Sequence, residues 1–395
     1  MSYHGGSPKE LRDSYPNTRA QKPPAFLVRL YATTAGVFES AAGRLGAEQA
    51  LDVDSVTVAF PDFEVLFNAD NRALHEAVVA SIRGVESPDR DLLARQLTSV
   101  IKRLLVFEDL GAVSTIIRQK LREVVKDFPS TLSQLEESGG GRDVLDPFIV
   151  ALALRLLCAD SLEDLLSHLV AHKCLMKLED LIGHLHEEVL GRAAGKQRVS
   201  EPEGVIGADG RRNKEEWHPE LNPYPGADAR LGTEEFYQIK NKTGSAKGSD
   251  GEKLGRQFKL LAEKYPGSRR FYVSMIGKTL AGHRSMGAFL RTDPGAEVLV
   301  GLAAFQQLGG HRDTPAIVLD FILEEFEAVK TDLHYDFDAV IQGMLTEWRE
   351  KHGTNDPAHR LLHDMITPAN PDEQQSGSYG RRRGVARKST KDSRQ

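Results

Sequence analysis

The chain reads as an α/β protein, a mixed central sheet flanked by helices, preceded by a mainly helical N-terminal domain. Three observations predict this. Up to about residue 175, apolar residues recur at three- and four-residue spacing. After Gly191 the pattern changes to short β-rich runs broken by Gly and Pro. Helix-period stretches then alternate with those runs, as strands followed by crossing helices require.

Taken in order, residues 1–24 are polar and rich in Gly, Ser and Pro, and are expected to be disordered. Residues 25–175 form the expected helical domain. Within it the stretch Arg90 to Leu121 is strongly periodic, with Gly111 as its expected break. A second helical tract runs from Val144 to Leu190 as several helices. There Asp160-Ser161 reads as a stop and an N-cap, with Glu163 and Asp164 in the first turn. Residues 176–335 carry the β-runs GVIGADG, NPYPGADARL, EEFYQIKNK, RRFYVSMIG and EVLVGLAAF. GEKLGRQFKLLAEKY lies between the third and fourth run and reads as a helix, as does Pro315 to Lys330. Residues 336–370 are expected to be a helical extension, with a helix over Asp336 to Lys351. Residues 371–395 read as a disordered basic tail, with seven basic residues among the last twenty.

Composition narrows the function classes. No apolar run approaches a membrane span, and the first residues lack the apolar region of a secretory signal, so a cytoplasmic protein with no membrane partner is expected. The two cysteines, Cys158 and Cys174, lie in leucine-rich helical sequence and read as reduced core thiols. A net charge of −6 argues against a protein that coats nucleic acid over its whole surface. The distribution is more telling. From Phe236 to Thr292 there are twelve Lys and Arg against three Asp and Glu. Such a block suits a phosphate-binding surface, and Lys242, Lys247, Lys253 and Arg256 are its expected DNA contacts.

The stretch NPYPGADARLGTEEFYQIKNKTGSAKGSDGEKLG, residues 222–255, carries the chemistry. Two β-runs meet at Gly232-Thr233, which predicts a hairpin. Asp228 lies on its first arm after the Pro225-Gly226 turn. On the second arm Gln238, Lys240 and Lys242 alternate onto one face, while Tyr237, Ile239 and Asn241 take the other. The hairpin brings a carboxylate, an amide oxygen and an ammonium together. Two oxygen ligands can hold Mg²⁺, and a lysine beside them can orient a water or stabilise charge on phosphorus.

This segment resembles the core of the PD-(D/E)xK nuclease superfamily over about residues 178–330. Its hairpin places an aspartate on one strand and acid-x-lysine on the next, and Asp228, Gln238 and Lys240 match those positions. The run YQIKNKTGSAKGSDGEKLG is similar to that of type II restriction endonucleases, in which a lysine- and glycine-rich loop follows the catalytic strand. FYVSMIG and VLVGLAAFQQLGG fit the remaining sheet. The resemblance implies a restriction-endonuclease-like fold, a Mg²⁺ cofactor held by Asp228 and Gln238, and double-stranded DNA as substrate. Cutting both strands of a symmetric site implies a homodimer. Two departures stand out: Gln238 replaces the usual acid, as in Mrr-like members, and Pro225 lies three residues before the aspartate. The superfamily often adds an acid from a preceding helix; Glu187 and Glu188 are the candidates, with Glu188 entered among the expected catalytic and metal-binding residues.

Other signals carry no chemistry. GSAKGSDGEK lacks the spacing of a P-loop, and His168 and His172 lack the glutamate of H-E-x-x-H, so both read as helix-surface residues. The leading expectation is a Mg²⁺-dependent type II restriction endonuclease. A Mrr-like modification-dependent or repair nuclease shares its chemistry. A non-catalytic DNA-binding or regulatory protein on the same fold is the alternative from another class.

Overall fold

The computed structural model describes residues 22–137, 152, 161–199, 205–206, 212–213, 223–242, 248–277, 284–333 and 335–353. Lys247, Cys158, most of the N-terminal stretch 1–24 and the tail 371–395 lie outside these residues. The chain divides into two compact units. The first comprises Met1–Asp127 and Met176–Tyr335, the second Phe128–Leu175 and Asp336–Gln395.

The first unit opens with helices α1 (Ala25–Leu30), α2 (Thr34–Leu45), α3 (Val53–Ala59), α4 (Phe63–Phe67), α5 (Asn71–Ser81), α6 (Asp89–Val106) and α7 (Leu110–Lys126). Aspartate caps set several of the starts. The side chains of Asp52, Asp62, Asp70 and Asp109 each accept a backbone N–H from the first turn of α3, α4, α5 and α7, which satisfies a donor the helix cannot and places negative charge at the positive end of its dipole. The break expected at Gly111 falls instead at Phe107–Asp109. Phe107 turns extended and bridges to Ala193, and Asp109 restarts the helix by accepting from Ala112 N at 2.9 Å, so Gly111 sits in the first turn of α7.

In the second unit α8 (Leu132–Glu137) precedes α9 (Leu162–Leu185), whose later turns belong to the first unit. Ser161 caps α9 as the sequence predicts: its Oγ accepts from Asp164 N at 3.1 Å and donates to the Asp164 carboxylate at 2.7 Å. His168 and His172 are exposed, and Cys174 is half-buried against this unit's core. A π-helix, His186–Leu190, continues α9.

The sheet follows. Strands β1 (Gln197–Arg198), β4 (Ala229–Leu231), β5 (Glu235–Lys242), β6 (Arg269–Ile276) and β7 (Glu297–Val300) lie in the order β1-β4-β5-β6-β7. β4 runs antiparallel to both β1 and β5, whereas β5-β6 and β6-β7 are parallel, so the sheet is mixed. A separate ribbon pairs β2 (Val205–Ile206) with β3 (Arg212–Asn213). The parallel pairs carry α10 (Gly248–Lys264) and α11 (Arg284–Thr292) between their strands. EVLVGLAAF is strand only to Val300. Gly301 takes φ 62°, and a Cβ there would lie 2.9 Å from the Gly277 carbonyl oxygen, so the chain turns out of the sheet into α12 (Leu302–Gly309). Then come α13 (Thr314–Leu333) and α14 (Phe337–His352), the latter capped by Asp336.

Strand alternation splits the core. Tyr237, Ile239, Phe271, Val273 and Met275 face the N-terminal helices, so these helices and the sheet share one hydrophobic cluster. Phe236 and Tyr272 face the opposite way, onto Leu254, Phe258 and Phe289 of α10 and α11. These two helices meet through glycines. A Cβ on Gly251 would stand 2.0 Å from the Ser285 carbonyl oxygen, and one on Gly255 2.6 Å from Thr292 Cβ. Gly251→Ala therefore forces the helices apart and is expected to cost about 3 kcal/mol, at the upper end for overpacking. The control is Gly343→Ala in α14, where a Cβ meets nothing within 4 Å and a gain of about 0.5–1 kcal/mol is expected. Urea unfolding of the two variants checks both signs.

Candidate active site

The expected hairpin forms. Gly232, at φ 55°, makes its turn, and the register pairs Ala229 with Tyr237 and Leu231 with Glu235. Asp228 stands one residue before β4. Its backbone N–H donates to the Tyr237 carbonyl at 2.7 Å, which fixes its side chain beside the start of the Gln238–Lys240 segment. Asp228 Oδ2 accepts from the Ile239 backbone N–H at 2.7 Å and from the Gln238 side-chain amide. A carboxylate only accepts, so the amide turns its nitrogen inward and leaves its carbonyl as an acceptor. Both residues are buried, at 7% and 8% exposure.

Gln238 and Lys240 line a cleft of about 740 Å³, together with Tyr272, Lys253 and Glu187. Tyr272 pairs with Gln238 in register on β6, so it forms the cleft floor on the same face of the sheet. The π-helix faces this floor, and it separates the two glutamates that the sequence left open. Glu187 enters the cleft, its Oε1 3.8 Å from Lys240 Nζ. Glu188 turns aside: its carboxylate meets Arg192 Nη1 at 2.6 Å and Arg198 Nε at 3.2 Å. Burial works to raise the Glu188 pKa, but the two guanidiniums outweigh it and the net shift is downward.

Asp228 has the opposite fate. Burial first, then the Glu187 carboxylate, push it up to about 7, against Lys240, the Ile239 N–H and Arg198. The site thus confines two carboxylates and an amide carbonyl, and at Asp228 burial and the neighbouring carboxylate outweigh the nearby cations. Among the described residues no three His, Cys, Asp or Glu form a metal cluster. The donor set is nonetheless one of hard oxygens, from Asp228, Glu187 and the Gln238 carbonyl. Such a set suits Mg²⁺, which takes few protein ligands and keeps its waters.

The chain matches no family model and no curated protein.

The basic block is not a single face. Lys253 lines the cleft. Lys242 also borders it but is ion-paired with Glu179. Arg256 pairs along α10 with Glu252 at 2.7 Å, and Arg269 bridges Glu235 and Glu297. Arg270 is turned inward, held by the buried Asp293 at 2.7 and 3.0 Å, and serves the core. Asn241 departs from the simple two-face reading. Its carbonyl meets His186 Nδ1 at 2.9 Å, yet it also borders the cleft. Burial lowers the His186 pKa against the pull of Asn241, which favours the neutral ring. Sequence reasoning passed over Tyr272 and Arg198. Tyr272 was readable as the next same-face position on the neighbouring parallel strand; GKQRVS gives no sign of the role of Arg198.

Proposed function

We propose that the protein is a Mg²⁺-dependent endonuclease of the PD-(D/E)xK type acting on double-stranded DNA, in the manner of a type II restriction enzyme. One observation carries the reading: a single hairpin sets Gln238 and Lys240 on one cleft with Asp228 hydrogen-bonded directly behind Gln238, and a glutamate from the preceding helix, Glu187, joins them at the cleft. Asp228, Glu187 and the Gln238 carbonyl would hold the metal. When bound, Mg²⁺ polarises the scissile phosphate and lowers the pKa of a coordinated water. Lys240 holds its ammonium at the cleft and stabilises charge that develops on the phosphate. Tyr272 and the sheet beneath it limit access of bulk water from below. Lys253 on the rim offers a contact to the DNA backbone. A homodimer follows for a symmetric target.

Purified protein with duplex DNA and Mg²⁺ tests the reading. Discrete fragments support site-specific restriction. Cutting only of modified DNA supports the Mrr-like variant. Binding without cutting overturns the enzyme and leaves a DNA-binding protein on a nuclease-like fold, the reading to which Gln238 in place of an acid lends support. Gln238 itself is expected to be a working ligand. Gln238→Leu removes the oxygen and should be inactive at any Mg²⁺ concentration. Gln238→Glu adds a third carboxylate and should cut at lower Mg²⁺ than wild type at pH 8. A Mg²⁺ titration of cleavage rate decides; wild-type cutting by the leucine variant removes Gln238 from the site.

A further inference from the structure

Arg198 lies on β1 opposite Ala229, and its side chain is only 10% exposed. Its Nη1 donates to two backbone carbonyls, Asp228 and Val199, each at 2.5 Å, which fixes the guanidinium in place. From that position it reaches three carboxylates: Glu188 from Nε at 3.2 Å, Glu187 from Nη2 at 3.4 Å, and Asp228 Oδ1 from Nη1 at 3.6 Å. Space is made for it at the end of the π-helix. A Cβ on Gly191 would come within 3.0 Å of Arg198 Cδ and 2.5 Å of the Glu187 carbonyl oxygen.

Only a forked, planar cation can take two carbonyls and three carboxylates from one buried position. Arg192 shares Glu188, and Lys240 stands beyond ordinary hydrogen-bond distance from Glu187. Between Glu187 and Asp228 the counter-charge is shared by Lys240 and Arg198, and of the two Arg198 is the more deeply buried, 10% against 30% exposed. We infer that Arg198 is a positioning residue that holds Glu187 and Asp228 facing each other while no divalent cation is bound, so that the acid pair survives as a folded, ready metal site. The inference rests on the metal-dependent reading above. It adds that the site carries its own resident cation, whose electrostatic task a bound metal takes over.

A clamp on backbone carbonyls alone would give no link between Arg198 and metal, and this separates the two roles. The full chain is melted as wild type, Arg198→Met and Arg198→Lys, in chelator and in saturating Mg²⁺, with Mg²⁺ binding followed by calorimetry. Arg198→Met should melt well below wild type in chelator and recover much of the loss in Mg²⁺. Its Mg²⁺-induced rise in Tm should be roughly twice that of wild type or more, since the metal then stabilises an acid pair that has lost its buried counter-charge. Arg198→Lys keeps the charge but not the fork and should fall between; it carries the test if the methionine variant does not fold. An equal loss of Tm with and without Mg²⁺, in a wild type that binds Mg²⁺, overturns the inference and leaves the nuclease reading standing. A wild type that binds no Mg²⁺ overturns the metal reading itself.

Discussion

Asp228→Asn is expected to reduce cleavage of duplex DNA by about 10²–10³-fold or more, the scale on which preorganised charge at a reacting centre acts. The fold should survive. Both hydrogen bonds to this side chain converge on one oxygen, Oδ2, which accepts from the Ile239 N–H and the Gln238 amide. Asparagine presents an oxygen of the same shape there, so neither donor is left orphaned. Its nitrogen replaces Oδ1, which makes only a 3.6 Å ion pair with Arg198. What disappears is the negative charge, and with it the strongest ligand for the cation. Lys240→Ala should produce a comparable loss by a different route, because the cleft then lacks its cation toward the phosphate. The measurement is single-turnover cleavage with circular dichroism on the same samples. A folded Asp228→Asn protein that cuts at the wild-type rate would remove the hairpin from the chemistry.

A second large effect is expected far from the cleft. His311 is 1% exposed, packs edge-on to Phe67 with ring centroids 4.9 Å apart, and accepts from the Asp313 N–H through Nδ1 at 3.0 Å. Burial, then the Lys102 ammonium, push its pKa down to about 3, with Asp313 pulling the other way. Below pH 6.5 the unfolded chain therefore takes up a proton that the folded chain refuses. Stability contributed by the neutral ring is complete above that pH and is lost as pH falls towards 3. At 1.36 kcal/mol per unit the loss reaches roughly 2 kcal/mol by pH 5. His311→Asn isolates the term, since its side-chain oxygen can still accept from Asp313 N while nothing titrates. The gap in unfolding free energy between wild type and variant should be flat above pH 7 and shrink steadily below 6.5. Asp228, whose raised pKa acts with opposite sign between about pH 4 and 7, is common to both proteins and cancels. A gap that stays constant from pH 8 to 5 would show that His311 titrates in the fold as it does in the unfolded chain.

What the sequence disclosed follows from the range of the interactions involved. The hairpin was readable because Gly232, the alternation from Phe236 to Asn241 and the turn at Pro225-Gly226 are all local. So was the Ser161 cap, which rests on one hydroxyl and its own next turn. The helix α12 was missed because LAAF is apolar enough for a strand; the deciding fact is Gly301 against the Gly277 carbonyl, a contact across the fold. Gly111 attracted the helix break for its residue type, yet the Phe107–Ala193 bridge determines where the chain leaves the helix. Gly251 and Gly255 fall within GEKLGRQFKLLAEKY, which reads as a helix, but nothing local shows that they are where α10 and α11 touch. Arg198 could not be found at all: its partners Glu187, Glu188 and Asp228 are neighbours only once β1 has paired with β4.

The choice between two adjacent glutamates is a matter of helical bearing, and the π-helix bears on what comes after them. An α-helix advances about 100° per residue, so neighbours on it point to different sides of its axis. A π-turn admits one residue more than the α-helical spacing does. The five residues His186–Leu190 therefore shift the angular phase of everything that follows them relative to α9. Upstream, α9 keeps Leu181 and Leu185 on the core; downstream, Val189 and Leu190 return to that core with Glu187 left facing the cleft. Glu187 still keeps the three- and four-residue order of the cleft-lining Glu179, Asp180, Gly183 and His184, and the wide turn adds Leu190, five residues after Leu185, to the apolar side that Val189 already reaches at a spacing of four.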